Sequence, residues 1–255
     1  MERQLQETDK LLRLVATLIA RNKPGVNLRL IGGLRYRLLD NSQRLSTDID
    51  YHCESPLEAK QKEVLEFCQR VAVREVKRLL GYEGRASART GPDADSPSAK
   101  FVDLRFWKHG IAVEVPVEIT NIARLDPPTV RTVEGTVYST PSDADVIEGK
   151  VLAVFNRPFL QHRDLVDLFL FESQLVPDSA ARLKRKFDSL QLRPEPVFKR
   201  LRDLETHSDY HAKSIQKVID QQMEPAAAAQ INAGGGGTMV LMRAVAVLQR
   251  LCGSL

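Results

Sequence analysis

Ile31-Gly32-Gly33-Leu34-Arg35-Tyr36-Arg37 and, a few residues on, Arg44-Leu45-Ser46-Thr47-Asp48-Ile49-Asp50-Tyr51 set a glycine pair ahead of two closely spaced carboxylates. Leu28-Arg29-Leu30-Ile31 reads as a strand entering the Gly-Gly turn, residues 33–39 as a short helix, and residues 48–51 as a second strand. Side chains alternate along an extended strand, so Asp48 and Asp50 project together while Ile49 and Tyr51 face the other way. Two such anions about 4 Å apart repel by about 4 kcal/mol at an effective dielectric near 20, so the pair asks for a positive charge between them. Mg2+, a hard cation held by one or two carboxylates together with substrate phosphates, meets that need. Lacking Cβ atoms, Gly32 and Gly33 let the backbone approach phosphates and turn into a helix whose N-terminal N–H groups favour anions. Alone, Gly-Gly reads as a simple turn and D-x-D as a solvated strand end. Together they point to a nucleotide site.

Outward from this stretch the first half alternates helix and strand patterns. Leu11, Leu12, Val15, Leu18 and Ile19 give residues 5–21 a helical repeat that stops near Pro24-Gly25. Residues 56–80 form a long amphipathic pattern with Leu57, Val64, Leu65, Phe67, Val71, Ala72, Val76 and Leu79 toward a core, ending at Gly81. Residues 84–98 are small and polar and read as an exposed, mobile connection. Residues 101–108 and 111–121 read as two strands joined at His109-Gly110. On the second, Val113, Val115, Val117 and Ile119 share one face, leaving Glu114, Pro116 and Glu118 on the other.

After Pro141 the pattern is helical. Ser142 is placed to cap a helix with Asp143 and Asp145 at its positive end. Lys150, Ala153 and Arg157 follow along one side at spacings of three and four until Pro158 interrupts. Asp164 and Asp167 lie on a helix over residues 163–173 beside Leu165, Leu168 and Phe169. Carboxylates buried there need partners, for which Arg157 and Arg163 are the candidates. Arg182-Leu183-Lys184-Arg185-Lys186 and Lys199-Arg200-Leu201-Arg202 read as solvated helical faces, with a surface for a phosphate backbone as the functional alternative. Gly234-Gly235-Gly236-Gly237 reads as a flexible link before an apolar helix over residues 239–251, buried in this chain or against a partner.

Composition narrows the class. With 43% hydrophobic and 27% charged residues over 255 positions, the chain is globular and long enough for a substantial core. No apolar run reaches bilayer length, and Met1-Glu2-Arg3-Gln4 lacks the apolar stretch of a signal peptide. Cys53, Cys68 and Cys252 are odd in number and far apart, which suggests neither a disulfide framework nor a zinc site. These features together predict a cytoplasmic protein. A net charge of +4 suits an acidic partner such as RNA, whereas 6% aromatic residues with Trp107 as sole indole argue against an extended single-strand stacking platform.

The order strand, Gly-Gly, helix, R-x-S-x-D-I-D resembles the first motif of the nucleotidyltransferase superfamily of the DNA polymerase beta type. More narrowly, Gly32-Gly33 with Arg44, Ser46, Asp48 and Asp50 is similar to the abortive-infection nucleotidyltransferase toxins AbiEii/AbiGii. Further motifs of that family follow in order: Val117-Glu118-Ile119-Thr120, then Lys150-Val151-Leu152-Ala153 with Arg157, then Arg163-Asp164-Leu165-Val166-Asp167-Leu168. The resemblance spans roughly residues 28–170.

It implies an α/β (α+β) fold: a nucleotidyltransferase-like mixed sheet flanked by helices, with a mostly helical C-terminal part. The domains would be a catalytic α/β domain at residues 1–140 and a helical domain at residues 141–255 that completes the active site. The implied reaction moves NMP from an NTP to an acceptor hydroxyl and releases pyrophosphate. Asp48, Asp50 and Glu118 would hold Mg2+, expected as two ions. Glu118 is chosen as third acid on the family pattern, and Glu114 and Asp103 remain its competitors. Gly32, Gly33, Arg44, Ser46, Lys150 and Arg157 would bind the nucleotide. Lys150 would also stabilise developing charge, and Asp164 is the family's later acidic residue, counted with the catalytic set. Transfer RNA is the implied acceptor, a cognate antitoxin the implied partner, and a monomer the expected state. The alternatives are a nucleotidyltransferase that modifies a protein or small molecule, and a catalytically silent binding protein of the same fold.

Overall fold

Strand β1 (Arg29–Ile31) ends where the glycine pair begins, and helix α2 (Gly32–Leu39) starts at once. The structure, a computed structural model, describes residues 2–89 and 98–253. They fall into two units, one made of Met1–Ile122 and Pro128–Pro141, the other of Ala123–Pro127 and Ser142–Leu255.

The first unit is built on a five-stranded sheet in the order β1-β2-β5-β4-β3. Its other strands are β2 (Ile49–His52), β3 (Glu83–Ala88), β4 (Ala99–Lys108) and β5 (Ile111–Thr120). β2 and β5 run parallel and every other pair is antiparallel, so the sheet is mixed. Val113, Val115, Val117 and Ile119 turn inward as the alternation predicts, beside Leu30, Tyr51, Val102, Leu104 and Phe106. That face packs against α1 (Glu2–Ala20), which buries Leu11, Leu12, Val15, Ala16 and Ile19.

The long amphipathic stretch is α3 (Leu57–Phe67) and α4 (Val73–Leu80), joined without a break by a π-helical turn at Cys68–Ala72. Val64, Cys68, Ala72 and Val76 are fully buried at a strict spacing of four. Four residues overshoot a turn of 3.6, so the buried stripe stays on one side only if the helix widens locally, which the π turn achieves. Leu79, expected in the core, falls outside this stripe and is exposed.

Two further expectations need correction. The segment read as a loop from residue 84 contributes a strand, β3, whose Gly84, Ala86 and Ala88 alternate with outward Glu83, Arg85 and Ser87. Its inward residues are so small that the two-residue period looks polar. Gly84 has to be small, since a Cβ there would run into the Phe106 ring. Residues 90–97 of that expected connection lie outside the described residues. Strand β2 begins at Ile49, leaving Asp48 in the bend before it, because its pairing with β5 starts at Ile49 opposite Val117 and its pairing with β1 reaches only Asp50. Strands β6 (Thr129–Val133) and β7 (Thr136–Thr140), which no pattern suggested, form a separate two-stranded ribbon.

The second unit is helical: α5 (Asp143–Asn156), α6 (His162–Phe171), α7 (Ser179–Ser189), α8 (Pro194–Thr206), α9 (Ser208–Gln222), α10 (Pro225–Ala233) and α11 (Gly236–Cys252). Ser142 caps α5 as expected, its Oγ accepting from the Asp145 N–H at 3.1 Å. α11 buries Val240, Leu241, Ala244, Val247, Leu248 and Leu251, packing chiefly on α9 and α6. Only the first two of the four glycines lie in the link between α10 and α11. Gly236 and Gly237 open α11, and a Cβ on Gly237 would collide with the Ala212 carbonyl of α9, while its N–H donates to Gln216 Oε1 at 2.8 Å. Close helix contact, rather than flexibility, selects glycine there. No single helix among the described residues is long and apolar enough to cross a membrane. A mixed sheet flanked by helices, followed by a helical part, is the fold class the sequence predicts.

Candidate active site

Gly32 has φ +72°, a backbone state that side chains rarely adopt, and a Cβ there would overlap the Asp50 carboxylate. Asp50 lies on β2, in register with Ile31 of β1 on one side and Glu118 of β5 on the other. Residues in register on neighbouring strands project from the same face about 4.8 Å apart, so the two acids are neighbours on the face opposite the core. Both are half-buried. Asp103 is opposite Pro116, two residues from Glu118 along the strand, and its two oxygens take Arg89 at 2.6 and 2.9 Å. Glu114 is exposed, opposite Arg105. Of the three candidate acids, only Glu118 is in register with Asp50.

The second glycine meets the other half of the motif. A Cβ on Gly33 would stand 2.6 Å from Arg44 Nη2 and 2.9 Å from Ser46 Oγ, both buried side chains. Ser46 Oγ in turn donates to the Asp48 carbonyl at 3.1 Å and lies 3.3 Å from its Oδ1. The structure therefore gathers Gly32, Gly33, Arg44, Ser46 and Asp50 at one turn, with Asp48 tied in through Ser46. Among the described residues no group of three or more His, Cys, Asp or Glu side chains is assembled as a metal-ligand set. The donors present are carboxylate oxygens, which suit a hard cation.

Sequence reading missed what holds α2 in place. Arg35 is fully buried, ion-paired with Asp40, which also accepts from Arg131 at 2.9 Å. Arg37 reaches Asp9 of α1 at 3.2 Å and the Ser42 carbonyl at 2.7 Å. Two arginines in an otherwise apolar eight-residue helix were the available signal.

In the helical unit, Lys150 is buried, with Nζ 3.0 Å from Asp164 Oδ1 and 2.9 Å from Asp167 Oδ2. Arg157 Nη1 donates to Asp164 Oδ2 at 2.8 Å. Both aspartates have no exposed surface. Asp167 is thus paired with Lys150 of α5.

The basic run at 182–186 divides by helical phase. Lys184 and Arg185 are exposed, but Arg182 and Lys186 face inward and are not part of a solvated face. Arg182 bonds Glu148 at 2.7 Å, Asp126 through two bonds of 2.9 Å, and Asp145 at 3.0 Å. Lys186 reaches Asp145 at 2.7 Å and Glu148 at 2.8 Å. The Arg182 bonds, helped by Ser142, hold the Asp126 carboxyl below its usual range. A second unanticipated group joins α6, α8 and α9: His162 Nε2 is 3.0 Å from His211 Nδ1, and Asp203 takes His211 at 3.3 Å and His207 at 2.9 Å. Burial, then the charges of His211 and Arg200, pushes His162 down to about 4. The three cysteines are free and buried, and burial pushes the Cys68 and Cys252 thiols up to about 12. They are structural.

Comparison with known proteins follows the same lines. The family model described as "Nucleotidyl transferase AbiEii toxin, Type IV TA system" matches residues 13–232. The crystal structure of JHP933 from Helicobacter pylori superposes with a TM-score of 0.58 at 17% identity, covering 99% of this chain and 93% of that one. MenT4, a nucleotidyltransferase toxin from Mycobacterium tuberculosis, superposes with a TM-score of 0.53 at 16% identity, again covering 99% and 93%. At such identities the likeness is one of fold. No curated protein matches the sequence. With the family model covering most of its length, the chain belongs to the AbiEii nucleotidyltransferase toxin family and is a nucleotidyltransferase.

Proposed function

We propose that the protein transfers a nucleoside monophosphate from an NTP to a hydroxyl of transfer RNA, in a metal-dependent reaction. The acceptor oxygen attacks the α-phosphorus, the bond to the β-phosphate oxygen breaks, and pyrophosphate leaves with that electron pair. The observation that carries this reading is the fit of Asp50 into the space left by Gly32, with Glu118 in register beside it.

Each residue has a chemical task in this reading. Gly32 and Gly33 let phosphates approach the start of α2, where backbone N–H groups and the Arg44 and Ser46 side chains hold them. Asp48, Asp50 and Glu118 are the oxygen donors that would hold Mg2+. The bound ion would supply neutralising charge to the phosphates. Glu118 would also accept the proton of the acceptor hydroxyl. Lys150 and Arg157 keep the charge-offsetting task that the family resemblance gives them, and Asp164, bonded to both, would set their positions. A net charge of +4 and the exposed Lys184 and Arg185 favour a polyanionic acceptor. The toxin reading brings with it a cognate antitoxin, and a monomer working in the cytoplasm, where NTP and transfer RNA occur together.

The test is incubation of the protein with α-labelled NTPs and, separately, RNA, protein and small-molecule extracts. Label should enter the RNA fraction, and Asp48→Ala should abolish it with the melting temperature little changed. Equal labelling by the variant would reject the mechanism, and label in protein or small molecules would replace the acceptor.

A further inference from the structure

Arg243 and Arg250, two helical turns apart on α11, both bond Glu172, at 3.4 and 3.1 Å. Both arginine side chains are more than half exposed. Among the described residues neither has a second ion pair, so one carboxylate serves two guanidinium groups and a positive charge is left over. The three charges border a groove of about 850 Å³ floored by Phe169, Leu175, Ala180 and Leu251. It is open to solvent along Val176, Pro177 and the two arginines. The Arg243 guanidinium also lies over the Phe169 ring, 5.1 Å from its centre, so one side of the cation is already packed on an apolar surface.

We propose that this groove docks an acidic amphipathic segment of a partner protein. Its apolar side chains would enter between Phe169 and Leu251, and its carboxylates would take Arg243 and Arg250. Seven residues on α11 rise about 10 Å, the span of two turns of a partner helix, so acids seven apart on that helix match the arginines. Glu172 already makes the bond that a partner carboxylate would make. Exposed ion pairs are weak, so the exchange of one carboxylate for another meets little resistance. A nucleic acid backbone fits less well, because it has nothing to offer the apolar floor. None of the lining residues belongs to the proposed nucleotide-binding set, so loss of docking and loss of transfer can be told apart.

The full-length protein and its Arg243→Glu/Arg250→Glu variant are each used to select from a random-peptide phage library. The wild type should enrich peptides with Asp or Glu about two turns apart around Leu, Ile or Phe. An enriched peptide, labelled for fluorescence anisotropy, should bind the double variant at least tenfold more weakly, and Val176→Asp should weaken it similarly. Glu172→Gln should tighten it severalfold by releasing both arginines, a gain that a damaged fold would not produce. NTP labelling and the melting transition of these surface variants should match wild type. Absence of acidic enrichment, equal binding by the double variant, or weaker binding by Glu172→Gln would overturn the proposal.

Discussion

Gly32 and Asp50 share one space: the carboxylate occupies the place where any other residue at position 32 would carry its β-carbon. The glycine is fixed twice over, by a φ of +72° and by that contact. Gly32→Ala should therefore displace Asp50 and strain the turn by about 1–3 kcal/mol. Labelling should fall at least about a hundredfold, while urea unfolding should show only that modest loss. Gly33→Ala, with ordinary φ, presses on Arg44 and Ser46 and should act mainly on the KM for NTP. Wild-type labelling by Gly32→Ala would contradict the assignment.

The choice of third acid follows from register. Glu118→Gln should remove transfer, whereas Glu114→Gln and Asp103→Asn should keep most of it, because one is exposed and the other is held by Arg89. All three variants should fold, as read by circular dichroism. Loss of activity in Asp103→Asn alone would move the site one step along the strand.

Lys186 sits with no exposed surface between Asp145 and Glu148. Lys186→Met leaves two buried carboxylates to share Arg182, and removing one partner of such a group costs about 3–5 kcal/mol. The exposed Lys184, two residues away, should tolerate the same change within about 0.5 kcal/mol. Urea midpoints of the two variants measure the contrast.

The bond between His162 and His211 needs a lone pair on one ring, and acid removes it. Asp203, His207, Arg200 and Tyr210 face this pair from α8 and α9, and only Asp203 favours the charged rings. The folded His162 takes its proton near 4 and the unfolded one near 6.5, so between these values the unfolded chain binds more protons. Stability is thus intact above about pH 6.5 and falls as pH drops toward 4. His211, also lowered by burial, works in the same direction. His162→Gln should flatten the difference in urea midpoint between pH 7.5 and pH 5.

Much of this could be read along the chain. Alternation in β5, the helical repeat of α1 and the glycine pair ahead of Asp48 and Asp50 are local patterns, and the structure keeps them. What resisted reading was set by neighbours. Ala86 looks like a loop residue until Phe106 lies across Gly84, and Arg182 looks like a surface cation until Glu148 is opposite it. Gly237 resembles a hinge until α9 approaches.

Periodicity and residue type, which act over a few positions, were enough for α1, β1, β4, β5 and the order of the acidic motifs, while the mixed sheet followed from the family resemblance and β3, β6 and β7 were not read. Tertiary contact decided that Glu118 is in register with Asp50, that half of the basic run is buried, and that Gly237 packs against α9. The reason is distance along the chain: register, ion pairing and close approach join residues tens of positions apart, and no local pattern carries the energy of a contact that forms only on folding.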